Sequence, residues 1–521
     1  MTSESINSDA GGTGAAYRWL VTITGMTAAF TMVLSGTIVN VAVPNVMGAF
    51  GVGQDEAQFL ATAYIATMTA SQLLNAWFVS VFGQRLAFFL VLTLFSAGAL
   101  LCAYSPTLDF IILGRIMQGF AAGIIQPLVM VTIFQVFPSH RRGTAMGIYS
   151  MGLVLALGLG PVIGGLTTDA FGWRYIFFVP LPFVATALML GALFLPGGRP
   201  GGARPAFDWT GYALLCTAIF CLMSAIANGQ RDGWDSNRIL TLFVIGALCA
   251  AGFVHSQRRA GAALLDLSLF GNAGFASAAV VAFVFGVGNF SITYSVPVFG
   301  QLVQGYTPTV AGFLLLPASL VLVALFPVTG RLSDRVAPLY LIAGGLVLFT
   351  IGTLLLAGAD VNTVFWSMSL FAIVGRIGMG FITPSLMSCA LGSVPPERLH
   401  HASGTINFAR QLGGAFGINI LVALLEIRTH FHLDAMTATQ SADNIATREL
   451  LNQAGRLLAE EGVPAALRDA LALNHLASML NAQAETLAFQ DGFHMLALVF
   501  IAALVPAWIL GRTARRLSPA S

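Results

Sequence analysis

Along this chain apolar residues run in long stretches, separated by short polar gaps, from Tyr17 to Gly511. A helix that crosses the hydrocarbon of a bilayer needs about 20 mostly apolar residues. The pattern predicts fourteen such spans, near 18–43, 57–80, 86–104, 109–135, 143–168, 173–195, 209–228, 238–256, 273–299, 309–330, 338–358, 363–389, 404–427 and 492–511. One gap is long: Arg428 to Gln490 has amphipathic spacing at Leu450, Leu451, Ala454, Leu457 and Leu458. Helical spacing resumes after Pro464, through Leu467, Leu471, Leu480 and Leu487.

Composition turns this pattern into a fold class. The 521 residues are 57% hydrophobic and 9% charged, with a mean hydropathy of +0.82, whereas soluble domains are about one quarter charged. Lipid must solvate most of the chain, so an all-α polytopic membrane protein is expected. A net charge of +2 excludes a nucleic-acid surface. The five cysteines, Cys102, Cys216, Cys221, Cys249 and Cys389, fall inside apolar stretches without metal-ligand spacing, so neither disulfides, a metal nor a cofactor is expected. All the basic residues are arginine. Fourteen lie on the side that carries the N-terminus and only three in the short loops opposite, which predicts both termini cytoplasmic. Met1 to Ala16 is polar and lacks signal-peptide character, which predicts a disordered cytoplasmic tail.

Two echoes suggest duplication. Ala76 to Arg85 after the second span is matched by Gly330 to Arg335 after the tenth, and Gly114-Arg115-Ile116-Met117-Gln118-Gly119 by Gly375-Arg376-Ile377-Gly378-Met379-Gly380. Two six-helix units with an inserted pair account for both: a tail over 1–16, an N-terminal bundle over 17–196, the inserted helix pair and inner loop over 197–272, a C-terminal bundle over 273–511 that includes the outer segment 428–490, and a second cytoplasmic tail over 512–521. Repeated halves with a midplane site between them are characteristic of secondary transporters.

Several residues are costly in lipid unless they do something. Arg115 lies in the outer half of the fourth span, where a cation needs a partner or a wet cavity; it reads as a functional residue or as a helix-to-helix clamp. Gln118, one turn on, shares its face. Gly160-Pro161-Val162-Ile163-Gly164-Gly165 suits close helix contact with a local bend. A mostly apolar cavity with a few polar groups is expected around Tyr64 and Asn75 of span two and Asn289, Phe290 and Tyr294 of span nine, although aromatic residues on a spanning helix more often face lipid or a neighbour.

With Thr37-Ile38-Val39-Asn40-Val41-Ala42-Val43-Pro44, Arg115 to Gly119, Gly160 to Gly165, and Ala402-Ser403-Gly404-Thr405-Ile406-Asn407 leading to Arg410-Gln411-Leu412-Gly413-Gly414, the chain resembles the major facilitator superfamily, in its fourteen-helix drug:proton antiporter branch of EmrB/QacA-type exporters. The resemblance covers nearly the whole chain. It implies a secondary active exporter of amphipathic or lipophilic small molecules, exchanging them for protons by alternating access across the bacterial cytoplasmic (inner) membrane. It assigns Gly160, Pro161, Gly164 and Gly165 to the antiporter motif, Gly83, Arg85, Gly330, Asp334 and Arg335 to a gating loop, and Arg115 and Gln118 to proton coupling. Ser35, Asn40, Tyr64, Asn75, Asn289, Tyr294 and Arg410 are placed in the substrate cavity.

The chain departs from the family pattern at three places. Ala156 replaces a glycine, Ser80 replaces the acid of the first gating loop, and Ser35 stands where span one commonly carries an aspartate. No carboxylate lies centrally in any predicted span, so the proton carrier is expected at Glu426 or Asp109, near outer ends. The flanks Arg428 to Leu433 and Gln483 to Phe493 resemble exporters that work with a periplasmic adaptor and an outer-membrane channel. Three other readings stay open: an exporter dedicated to one metabolite or organic acid, a membrane-embedded enzyme and a sensor. The eight scattered histidines and the lack of a HExxH run argue against an enzyme.

Overall fold

The computed structural model of the protein describes residues 15–136, 142–195, 206–259, 264–333, 336–394 and 399–517. No β-strand occurs among them. Fourteen long helices form the body: α1 (Ala15–Ile38), α2 (Phe59–Phe82), α3 (Gln84–Ala103), α4 (Leu108–Val136), α5 (Arg142–Phe171), α6 (Pro180–Phe194), α7 (Trp209–Asp232), α8 (Asn237–Arg259), α9 (Ala273–Leu302), α10 (Leu316–Ser333), α11 (Pro338–Ala357), α12 (Phe365–Gly392), α13 (Leu399–Thr437) and α14 (Ala465–Leu517). Among the described residues thirteen helical stretches are long and apolar enough to cross a bilayer. The 24-residue α2 occupies the place of the predicted second span.

Helix ends follow local chemistry. Gly83, at φ +77°, turns the chain between α2 and α3 while its N–H donates to Val79 O at 2.8 Å; a side chain there would be strained. Side chains of Asp208, Asn272 and Thr307 accept N–H groups from the first turns of their helices. The first predicted span is broken in two: α1 stops at Ile38, a 3-10 turn covers Val39–Ala42, and a short helix resumes over Val43–Phe50. Pro44, which has no N–H to donate, sits at the start of that second piece.

The pairings repeat eight helices apart. In the first half α1 packs on α5 and α6, α2 on α4, α3 on α4 and α6; in the second α9 packs on α13 and α14, α10 on α12, α11 on α12 and α14. Even the helix crossings match. A Cβ on Gly98 would stand 2.7 Å from Gly114 O between α3 and α4, and one on Gly352 2.5 Å from Gly375 N between α11 and α12. The inserted helices α7 and α8 pack on each other, and α7 also leans on α13.

The outer segment differs from the predicted arrangement. α13 runs for 39 residues and α14 for 53, about 58 and 80 Å at about 1.5 Å per residue, against a hydrocarbon core of about 30 Å. The amphipathic stretch after Pro464 is therefore the first part of α14 itself, because no glycine or proline interrupts it before Gly492. A separate helix, Ile445–Glu460, packs against α14. Arg428 and His432 of α13 both meet Asp491 of α14, at 2.5 and 2.7 Å, and tie the pair together.

Candidate functional site

Arg115 is completely buried in α4. Its Nε donates to Leu60 O of α2 at 2.7 Å, and Nη1 donates to Ser35 O and Ser35 Oγ of α1 at 3.1 and 3.2 Å and to Gln118 Oε1 at 2.9 Å. The guanidinium lies 4.2 Å from the centroid of the Tyr64 ring, whose hydroxyl donates to Met32 O at 2.6 Å. A buried cation costs several kcal/mol unless hydrogen bonds satisfy it; here every acceptor is neutral, and three helices supply the cage. Ser35 and Tyr64, expected in a substrate cavity, are this arginine's partners.

Arg376 holds the equivalent place in α12 and is 4% exposed. Its Nη1 donates to Asn289 Oδ1 at 2.8 Å and to Met379 Sδ at 3.3 Å, and its Nη2 to Thr293 Oγ1 at 2.8 Å. The sequence echo contains this residue but carries no sign of the partners that hold it. Asn289, a lone amide in an apolar helix, is thereby satisfied. Arg376 and Asn289 border a small cleft between α9, α11 and α12. Thr293 also connects outward, since Asn40 Nδ2 donates to its carbonyl at 3.4 Å.

That Asn40 contact belongs to a seam at the C-terminal ends of α1, α5 and α9. Gln301 Nε2 of α9 donates to Val41 O at 2.9 Å, and Thr309 N donates to Asp169 Oδ2 of α5 at 2.9 Å. The glycine-proline run of α5 lies at its centre. A Cβ on Gly160 would stand 2.0 Å from Thr37 Oγ1 and one on Gly164 2.5 Å from Ile38 O, both within the first half. Across the seam, a Cβ on Gly165 would stand 2.3 Å from Pro308 O, and one on Gly312 2.2 Å from Pro161 O. The short helix Pro308–Phe313, unmarked in the sequence, is the second half's side of the contact.

The remaining candidates scatter. Arg85 donates to Ala192 O at the end of α6, where a cation suits the free carbonyls of a helix C-terminus, whereas Ser80 bonds back to Trp77 O at 2.6 Å. Gly330 falls in α10; Asp334 and Arg335 lie outside the described residues. Asn75 and Tyr294 are buried, and Arg410, half-buried, donates to Asn407 Oδ1 at 3.2 Å. Asp109 is exposed in the first turn of α4. Glu426 lies within α13, well before its end at Thr437, within the electrostatic reach of Asp55 and Arg231, and its Oε2 is buried without a hydrogen bond. Asp55 is buried beside Arg231, which also bonds Glu56; burial raises the Asp55 pKa, with Arg231 opposing.

Comparison with known proteins places this geometry. The chain is 26% identical to the uncharacterized MFS-type transporter YhcA of Bacillus subtilis over 481 residues, 92% of this chain and 90% of that one. It is 24% identical to the multidrug export protein EmrB of Haemophilus influenzae over 494 residues, 94% and 95% of the two chains, and 29% identical to the multidrug resistance protein Stp of Mycobacterium tuberculosis over 401 residues, 76% and 74%. Among solved structures, a bacterial homolog of the human lysosomal transporter Spinster, inward-facing and unoccupied, matches with a TM-score of 0.62 at 15% identity, over 98% of this chain and 100% of that one. That likeness concerns the fold. The sequence model of the Major Facilitator Superfamily matches residues 25–418, and with the repeated halves described above this chain belongs to that superfamily.

Proposed function

We propose that this protein is a secondary active transporter of fourteen spans that exports amphipathic or lipophilic small molecules in exchange for protons. It works by alternating access in a bacterial cytoplasmic membrane, with both termini inside. Residues 17–196 and 273–511 act as the two rocking halves, and 197–272 as an inserted pair. The observation that carries this reading is the pairing of two pseudo-equivalent buried arginines with a glycine-lined seam between the halves. The relatives named for multidrug resistance and export support the substrate class.

In the outward step the seam around Gly165 and Gly312 parts, and the bonds of Asn40, Gln301 and Thr309 across it break. Thr293 gives its carbonyl to Asn40 and its hydroxyl to Arg376, so parting the seam is felt at Arg376. Arg115 and Gln118 couple the first half to this motion, and the gating-loop arginine Arg85 steadies the inner end of α6. Since Ser35 cannot titrate, Glu426, on α13 and exposed to the field of Asp55 and Arg231, is the proposed proton carrier. Asp109 is a weaker candidate because it faces solvent. Exposed Leu457, Leu467 and Leu471 on the projecting helices suit docking of a periplasmic adaptor leading to an outer-membrane channel.

A second reading, an exporter dedicated to one organic acid, is favoured by the neutral surroundings of both arginines. Efflux of a panel of dyes, biocides and organic acids in a host lacking its own pumps separates the two, together with substrate-induced proton release from liposomes holding the purified protein. Broad efflux with proton release supports multidrug antiport; a narrow profile limited to acids supports the second reading; no substrate-dependent proton movement contradicts proton exchange.

A further inference from the structure

Glu426 meets charges from two other parts of the chain. Between α1 and α2 a four-residue helix, Gln54–Ala57, packs on both α13 and α7, so the two proposed halves and the inserted pair come together there. Its Asp55 has a side chain only 7% exposed and lies 4.0 Å from Arg231 Nη1 of α7, while the neighbouring Glu56 accepts a bond from that same Nη1. The rest of the Arg231 guanidinium is tied within α7: Nη2 donates to Asn228 Oδ1 at 2.9 Å and Nε to Asp232 Oδ1 at 3.4 Å, and Asp232 also accepts from Arg238 of α8 at 2.6 Å. Among the described residues, Asp55 and Arg231 are the charges that act on Glu426, whose buried Oε2 has no donor. Other ionisable groups on helices packed against α13 are engaged elsewhere or add no charge to that field: Asp491 of α14 is bonded to Arg428 and His432, Arg376 of α12 to Asn289 and Thr293, and neither Glu485 of α14 nor Tyr294 of α9 contributes.

Two carboxyls within electrostatic reach of each other resist ionising together, and a cation beside them favours loss of the proton. Here one acid comes from each proposed half and the cation from the pair inserted between them. We propose that Asp55 and Glu426 share one exchangeable proton across the junction of the halves, and that Arg231 is the positioning residue whose charge sets the pH at which that proton leaves. The inference rests on the reading of Glu426 as proton carrier and gives the inserted pair a part in the coupling. Drawing Arg231 away holds the proton to higher pH, whereas parting the halves separates the two acids and releases it at lower pH.

The test is a pH titration of the full-length protein in phosphatidylcholine nanodiscs, without substrate or gradient, followed by the carbonyl band of protonated carboxyls in infrared difference spectra. A titrating band is expected that Glu426→Gln removes or moves to lower pH. Asp55→Asn, which deletes the like charge, should lower the midpoint by about one pH unit, and Arg231→Gln should raise it by about as much. Arg231→Lys, which keeps the charge, should hold the midpoint near that of the unaltered protein. Shifts of opposite sign are what a merely structural role would not produce, and either variant decides the matter if the other fails to fold. A midpoint unmoved by Asp55→Asn or by Arg231→Gln, the same shift with lysine as with glutamine at 231, or no band that responds to Glu426→Gln overturns the proposal. Because the titration needs no transport, the two failures are distinct. Proton-driven efflux that stops with Glu426→Gln beside an unmoved midpoint sinks this inference and keeps Glu426 as carrier; shifted midpoints beside efflux untouched by Glu426→Gln do the reverse.

Discussion

A guanidinium in the centre of a helical bundle needs acceptors that no single helix can offer, and Arg115 draws them from α1, α2 and its own next turn. Leaving one buried acceptor unpaired costs about 1–3 kcal/mol, and about 1.4 kcal/mol is a factor of ten in an equilibrium constant. Arg115→Ala is therefore expected to lower efflux at least about tenfold at unchanged membrane abundance. Arg115→Lys should recover little of it, since an ammonium cannot span Leu60 O and Ser35 while lying flat on Tyr64; efflux of a fluorescent substrate, normalised to protein level, checks both. That Arg115 mattered was legible in the sequence, because a charge in an apolar run is an anomaly at any register. That Ser35 and Tyr64 serve it was not, because the three residues sit on three helices whose relative rotation no local pattern records. Arg376 was visible in the repeat, but its partners Asn289 and Thr293 come from a helix 87 and 83 residues away in the chain.

Among the elements, α5 carries the seam, and its glycines are explained by contact. A side chain at residue 165 would collide with the backbone at Pro308, so Gly165→Val is expected to push the Pro308–Phe313 helix away and loosen the outer closure. In a cysteine-free background, Thr309→Cys should then react with a membrane-impermeant maleimide added outside several times faster than in the protein with Gly165, and efflux should fall; an unchanged rate would place the closure elsewhere. At the start of α7, Asp208 accepts from Gly211 N, Ser256 Oγ and Gln257 Nε2 at 2.7 to 2.8 Å, and Gln257 in turn accepts Leu264 N and Leu265 N. Partial burial would raise its pKa, but these hydrogen bonds outweigh it and hold the carboxyl below its usual range. A depressed folded-state pKa stabilises fully above the unfolded value of about 3.9 and loses that contribution as pH falls through the folded one. The amides of Leu264 and Leu265 should thus stay protected from hydrogen exchange from neutral pH to about pH 4 and lose protection in Asp208→Asn at neutral pH. The long apolar helices were readable from hydropathy alone, whereas the continuity of α14 was not: a polar, amphipathic stretch carries the same helical spacing whether it is separate or continuous with an apolar helix, and only the lack of a breaker between Pro464 and Gly492 distinguishes the two.

For the whole molecule, the helix pairings repeat eight positions apart, and the seam joins the two sets of helices at one end. The duplication was legible because its short motifs survive at matching places. The geometry between the halves was not, since the Pro308–Phe313 helix that faces α5 has no sequence mark beyond its capping Thr307 and its glycine. The central claim, export driven by proton exchange through these two halves, is tested most directly in liposomes that hold the purified protein, by imposing a pH gradient and following a lipophilic substrate present at equal concentration on both sides. The account predicts uphill movement of substrate opposite to the proton flow, abolished by collapsing the gradient and by Arg115→Ala. Substrate that stays at equal concentration under the gradient, or moves uphill equally well with Arg115→Ala, would contradict it.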